Sequence, residues 1–196
     1  MKNRILACLS AAILLSGCAH TIAIGPDVAK IERDATAQPI KKSVGYYISE
    51  ESRNLEVTTP GGGGDKVNYR PYKDTETAFY KMLTNVFDNV AVLQLPNDAE
   101  AISKNKVSYI ITPQLVTNSS SSSALTWPPT DFTVDMTCTI SDAAGNTVAT
   151  KAVNGQGKAE FSEFKSDFSL SGKRASEDAL LKMQRALLAE TPELRK

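Results

Sequence analysis

The chain has 196 residues, 41% of them hydrophobic, and its 22 Lys plus Arg balance 22 Asp plus Glu. That length suits one domain with a proper core. Near-neutral charge without a basic cluster argues against nucleic acid as a partner.

In chain order, Lys2 and Arg4 form a short positive start, and Ile5 to Leu15 is an almost unbroken apolar run. A membrane-spanning helix needs about 20 apolar residues, so this run is too short. It has the proportions of a signal-peptide core. Its end, Leu15-Ser16-Gly17-Cys18, resembles the lipobox of bacterial lipoproteins. The resemblance implies removal of residues 1–17, a diacylglycerol thioether on Cys18 and an acyl group on the new amino terminus. Each buried methylene contributes roughly 0.8 kcal/mol, so several chains on one residue make a lasting anchor. The family's sorting rule retains an Asp-following Cys at the inner membrane. Ala19 in that place therefore implies the outer membrane, with the domain facing the periplasm.

Residues 18–43 contain Pro26, Pro39 and scattered charges with little periodicity, and read as a lipidated N-terminus and loosely ordered tether. A single domain over 44–196 follows. Val44 to Ile48 is its first strand; Leu55 to Thr59 and Lys66 to Tyr72 are two more, joined by Pro60 and Gly61 to Gly64. Four glycines visit positive φ without steric cost, which predicts a mobile hairpin loop. Asp74-Thr75 offers an N-cap for a helix whose apolar face is Phe79, Met82, Leu83, Val86 and Phe87. Val90 to Leu95 reads as a strand, and Asn97-Asp98 caps a short helix through Ser103.

Val107 to Val116 is a further strand, and Tyr109-Ile110-Ile111, apolar on both faces, places it centrally. Asn118 and Ser119 to Ser123 read as a loop leading to Trp127-Pro128-Pro129. Asp131 to Ser141 and Thr147 to about Phe161 form a hairpin. Lys173 to Glu190 is a second amphipathic helix with Ala175, Ala179, Leu180, Met183 and Leu187 on its face. The expected fold is α+β: a mixed, mostly antiparallel sheet with two amphipathic helices packed on one face.

Three stretches carry a wider resemblance: Glu76 to Leu93 (ETAFYKMLTNVFDNVAVL), Val107 to Leu115 (VSYIITPQL) and Thr139 to Gly157 (TISDAAGNTVATKAVNGQG). Their order is similar to that of periplasmic lipoproteins of the YajG-like, ABC-transport-auxiliary, lipopolysaccharide-assembly and curli-secretion class. The resemblance implies a binding role in an envelope transport or secretion complex, with an envelope protein or further copies as partner.

Motifs for chemistry are sparse. His20, the single histidine, lies two residues from Cys18, which removes Ser-His, Cys-His and His-metal arrangements from the expected domain. Neither Gly61 to Gly64 nor Gly155-Gln156-Gly157-Lys158 fits a phosphate loop leading into a helix, so no nucleotide or other cofactor is expected. Cys138 alternates onto an apolar strand face and reads as core. Asp131 and Asp135 share a strand face, but four residues of strand span roughly 13 Å, beyond a glycosidase pair. No catalytic or metal residue is expected, only lipidation at Cys18. Trp127 reads either as an exposed anchor or as a side chain folded back on the core. Sheet edges invite a partner strand. The alternative function is a carrier holding an apolar ligand among Phe79, Phe87, Tyr109 and Phe132; it requires a large cavity.

Overall fold

The computed structural model describes residues 19–164, 166–189 and 194. The expectations for the leader and for Cys18 lie outside the described residues. Two sheets form. The smaller contains β1 (Ala19–Thr21), β3 (Val57–Pro60) and β4 (Lys66–Tyr69) in the order β1-β4-β3. The larger contains β2 (Ile40–Tyr47), β5 (Phe87–Leu93), β6 (Tyr109–Ser120), β7 (Asp131–Asp142) and β8 (Thr147–Lys158), in the order β5-β2-β6-β7-β8. The helices are α1 (Glu50–Asn54), α2 (Pro71–Val86), α3 (Ala99–Asn105) and α4 (Leu170–Ala189).

The α+β class with strands of mixed orientation is as expected, and the longest ladders, β6 with β7 and β7 with β8, are antiparallel. β1 with β4, β2 with β5 and β2 with β6 are parallel; β3 with β4, β6 with β7 and β7 with β8 are antiparallel. Parallel neighbours require long crossovers, and the chain supplies them through α2 and then α3. The central place of β6 follows from its two apolar faces. Ile111 belongs to the main core under α2 and α4, and Ile110 to a second cluster with Ala101 and Ile102 of α3.

The main core fills the space between the large sheet and the two long helices. Met82 and Leu83 of α2 meet Leu180 and Met183 of α4 there, above Met136 and Ile140 of β7. α2 begins at Pro71, earlier than the expected Asp74, because proline fits the first helical position and loses no needed N–H there. Asp74 instead accepts a hydrogen bond from the Ile24 backbone N–H at 3.1 Å.

That bond belongs to the largest difference from expectation. The segment after residue 18 is no loose tether. Ala19 to Thr21 pairs with Lys66 to Asn68, and Ile22, Ile24, Ile31 and Ile40 are buried in the core. Burying four aliphatic side chains offsets the entropy of ordering this polar, proline-containing stretch. The serine run also differs: Ser119 and Ser120 close the long strand β6 opposite Phe132 and Asp131.

α4 lies unusually close to the β7–β8 hairpin. A Cβ on Gly155 would collide with the Ala175 carbonyl oxygen and the Ala179 methyl, and one on Gly157 with the Ser171 carbonyl oxygen. Small residues on the helix and glycine on the strand together allow this approach. Gly157→Ala is therefore expected to destabilise the fold by about 1–3 kcal/mol, through overpacking against backbone. Urea denaturation checks this; unchanged stability contradicts the close contact.

Candidate functional site

Where the chain enters the fold, three features that lie far apart in sequence come together. The His20 ring stacks on Trp127 at a centroid distance of 4.1 Å and 16° between planes. His20 Nε2 also lies 3.1 Å from Asp65 Oδ2. The glycine loop is clasped by the segment carrying Trp127: Gly62 N–H donates to the Trp127 carbonyl at 2.8 Å, and Gly63 N–H to Ser123 at 3.1 Å. The loop is thus a hairpin connection with Gly63 and Gly64 at positive φ, as expected, but it is pinned rather than mobile. Gly62 packs so closely against the Thr126 carbonyl that no side chain fits there.

Trp127 takes a middle course between its two readings. It packs against the rim of the core and also meets Phe168 at 4.9 Å and 50°. Beside it opens an apolar cleft of about 320 Å³ lined by Leu125, Trp127, Pro128, Phe161, Phe164 and Phe168. The histidine expected outside the domain is part of this surface.

Below the rim a hydroxyl network ties the two sheets. Ser119 Oγ lies 2.6 Å from Thr59 Oγ1 and donates to the Pro60 carbonyl, while Tyr69 OH donates to Thr117 Oγ1 at 2.8 Å. The serine and threonine side chains satisfy one another where β3 and β4 cross β6, which keeps buried hydroxyls paired.

The remaining sequence candidates separate. Cys138 is fully buried, and burial pushes its thiol up to about 12; a thiol held protonated is a poor nucleophile. Asp131 meets Thr130 at 2.8 Å and Lys158 at 3.5 Å, whereas Asp135 accepts from Asn154 at 2.7 Å. Each carboxylate has its own cross-strand partner, and the two do not converge on a shared space. Phe79, Phe87 and Phe132 are packed core residues and Tyr109 is half-buried; side chains occupy the space where a carrier would hold its ligand.

The sheet edges are unequal. Along the outer edge of β8, Gln156 N–H donates to Asp178 at 2.9 Å. Lys182 Nζ reaches the Asn154 carbonyl at 2.9 Å, and Arg174 the Lys158 carbonyl at 2.7 Å. α4 therefore occupies the hydrogen-bonding groups that a partner strand would use. The outer edge of β5 carries no such row of side-chain caps among the described residues.

A polar group that sequence reasoning missed is Glu76. Arg53 of α1 grips its carboxylate with two bonds of 2.9 Å, and Tyr46 OH donates to it at 3.1 Å. The hydrogen bonds from Arg53 hold the Glu76 carboxyl below its ordinary value of 4.5, and burial raises the Tyr46 hydroxyl. Glu at one turn of α2 and Arg in a short helix leave no motif in sequence; only the fold joins them.

No family model matches the chain, and no curated protein matches it. Among solved structures, protein XCC0632 of Xanthomonas campestris, assigned to the family model DUF330, is similar over 90% of this chain and 94% of its own. The TM-score is 0.51 and the identity 11%. A dodecamer of PelC from Paraburkholderia phytofirmans matches over 74% of this chain and 94% of its own, with a TM-score of 0.39 and 13% identity. At 11% identity, the likeness to the Xanthomonas protein is one of fold.

Lowering of a carboxyl's pKa on folding contributes stability that is present above the unfolded value and lost as pH falls through the folded one. Glu76→Gln is accordingly expected to cost about 1–2 kcal/mol at pH 7, a figure reduced for partial exposure of the pair. The difference from wild type should shrink as pH falls below about 4.5. Thermal melts across pH check this; a difference independent of pH contradicts the ion pair's role.

Proposed function

We propose that this chain is a non-enzymatic bacterial lipoprotein, anchored through Cys18, that serves as a binding or assembly component of a cell-envelope transport or secretion complex. The observation that carries this reading is where the fold begins. The residue after Cys18 is already in β1, hydrogen-bonded to β4, so a lipid on Cys18 would hold the folded body itself at the membrane. The lipobox supplies the chemistry of attachment, and Ala19 favours the outer membrane with the domain in the periplasm.

Two further features support a docking role over a catalytic or carrier one. Cys138 is buried, which pushes its thiol up, and the strand carboxylates Asp131 and Asp135 are bound locally. The β5 edge offers backbone groups to an added strand from an envelope protein or a second copy. Phe79, Phe87 and Phe132, which a carrier would use to line its cavity, are buried core residues, which favours docking over carrying.

Cys18→Ser is expected to remove the protein from the membrane fraction while leaving its circular dichroism unchanged; persistence in membranes contradicts the anchor. Native mass spectrometry of the wild-type chain from mild detergent is expected to show a co-purifying protein or a multiple of the chain. A bare monomer that captures nothing on mild crosslinking contradicts the assembly role. A monomer with added mass of lipid size, beyond the Cys18 modification, would restore the carrier.

A further inference from the structure

We propose that the apolar surface around Trp127 is a bilayer-contact surface, which seats the domain on the lipid interface beside Cys18; this rests on the lipid anchor of the preceding section. Leu125 is 95% exposed, Phe161 65% and Phe168 51%. Large apolar side chains grouped at such exposure mark an interaction surface rather than ordinary surface scatter.

The position of the patch selects the lipid bilayer as its occupant. Trp127 stacks directly on His20, and His20 is two positions after Cys18, with Ala19 between them. Two residues reach at most about 7 Å. Acyl chains on Cys18 lie in the hydrocarbon, so whatever touches His20 is held within a headgroup's depth of it. A surface placed there by a covalent anchor meets lipid before any other partner.

Its chemistry agrees. Tryptophan with phenylalanine and leucine is the composition that settles at the boundary between headgroups and acyl chains. Two acidic groups beside the phenylalanines are ion-paired: Glu163 with Arg174 at 2.7 Å and Asp167 with Lys173 at 2.8 Å. Repulsion from anionic headgroups is reduced accordingly. The patch is also pre-formed, since the Trp127 carbonyl is fixed by Gly62 and the ring lies between His20 and Phe168. Little ordering entropy is lost when it meets the bilayer.

Trp127 is the single tryptophan of the chain, so its fluorescence reports on this surface alone. The mature protein, lipidated on Cys18, would be reconstituted into phosphatidylethanolamine–phosphatidylglycerol vesicles containing lipids brominated either near the headgroup or near the acyl terminus. The expected result is a blue-shifted emission, quenched more by the shallow bromines than by the deep ones. Leu125→Asp with Phe161→Asp should abolish the quenching while the vesicles still carry the protein, with circular dichroism confirming the fold. Protein that co-floats with vesicles but shows no quenching overturns the proposal and leaves the anchor intact. A blue shift without quenching that grows with protein concentration overturns it in favour of contact between copies. Protein that fails to co-float overturns both the anchor and the patch.

Discussion

Two side chains of α2 close this fold by binding backbone. Asp74 accepts the Ile24 N–H, and Asn85 donates to the Ile31 carbonyl at 2.9 Å and to Gln184 of α4 at 2.9 Å. Gln184 in turn donates to the Glu32 carbonyl. The N-terminal segment thus runs as an extra layer across both long helices, with its isoleucines pointing into the core. A buried polar group without a partner costs about as much as a lost hydrogen bond or more, so segment and helices specify one another. Burial pushes the Asp74 carboxyl up, and the Ile24 N–H pulls against it. The segment passes so near α2 that a side chain at Gly25 would strike the Asp74 carbonyl.

This constraint decides the geometry of everything at the entry of the chain. A loose tether would let the domain turn freely above a membrane. A clamped segment fixes β1, and β1 fixes His20 against Trp127 and Asp65. The glycine loop and serine loop then meet over the same strand end, each supplying backbone groups that the other satisfies. At the far side of the large sheet, α4 closes β8 with Asp178, Lys182 and Arg174, while β5 forms the opposite edge. The entry surface around His20 and Trp127 and the uncapped β5 edge therefore lie on parts of the molecule joined by the packed core.

Much of the fold was legible because it rests on periodicity. Met82, Leu83 and Val86 recur at helical spacing, as do Ala179, Leu180 and Met183, and all are fully buried. Alternation along Phe132 to Ile140 placed Cys138 inward, and it is inward. The entry segment was misread because prolines and charges outweighed a short signal: Ile22 and Ile24 alternate with Thr21 and Ala23. Only a partner strand makes Ala19 to Thr21 a strand, and that partner, β4, is remote in sequence, with His20 opposite Val67. Separation in sequence likewise hid the stacking of His20 on Trp127 and the grip of Arg53 on Glu76. Hydrogen bonds between remote side chains leave no period in a sequence; packing faces do.

Amide hydrogen exchange at Ile22 and Ile24 tests the clamped entry most directly. Their N–H groups are bound by the Asn68 carbonyl at 2.9 Å and the Asp74 carboxylate at 3.1 Å. Both are expected to exchange as slowly as amides of the central strand β6, opening only with the whole domain. Exchange at the rate of an unstructured peptide would show that the segment is a tether after all, and would free the body from any fixed seat at the membrane.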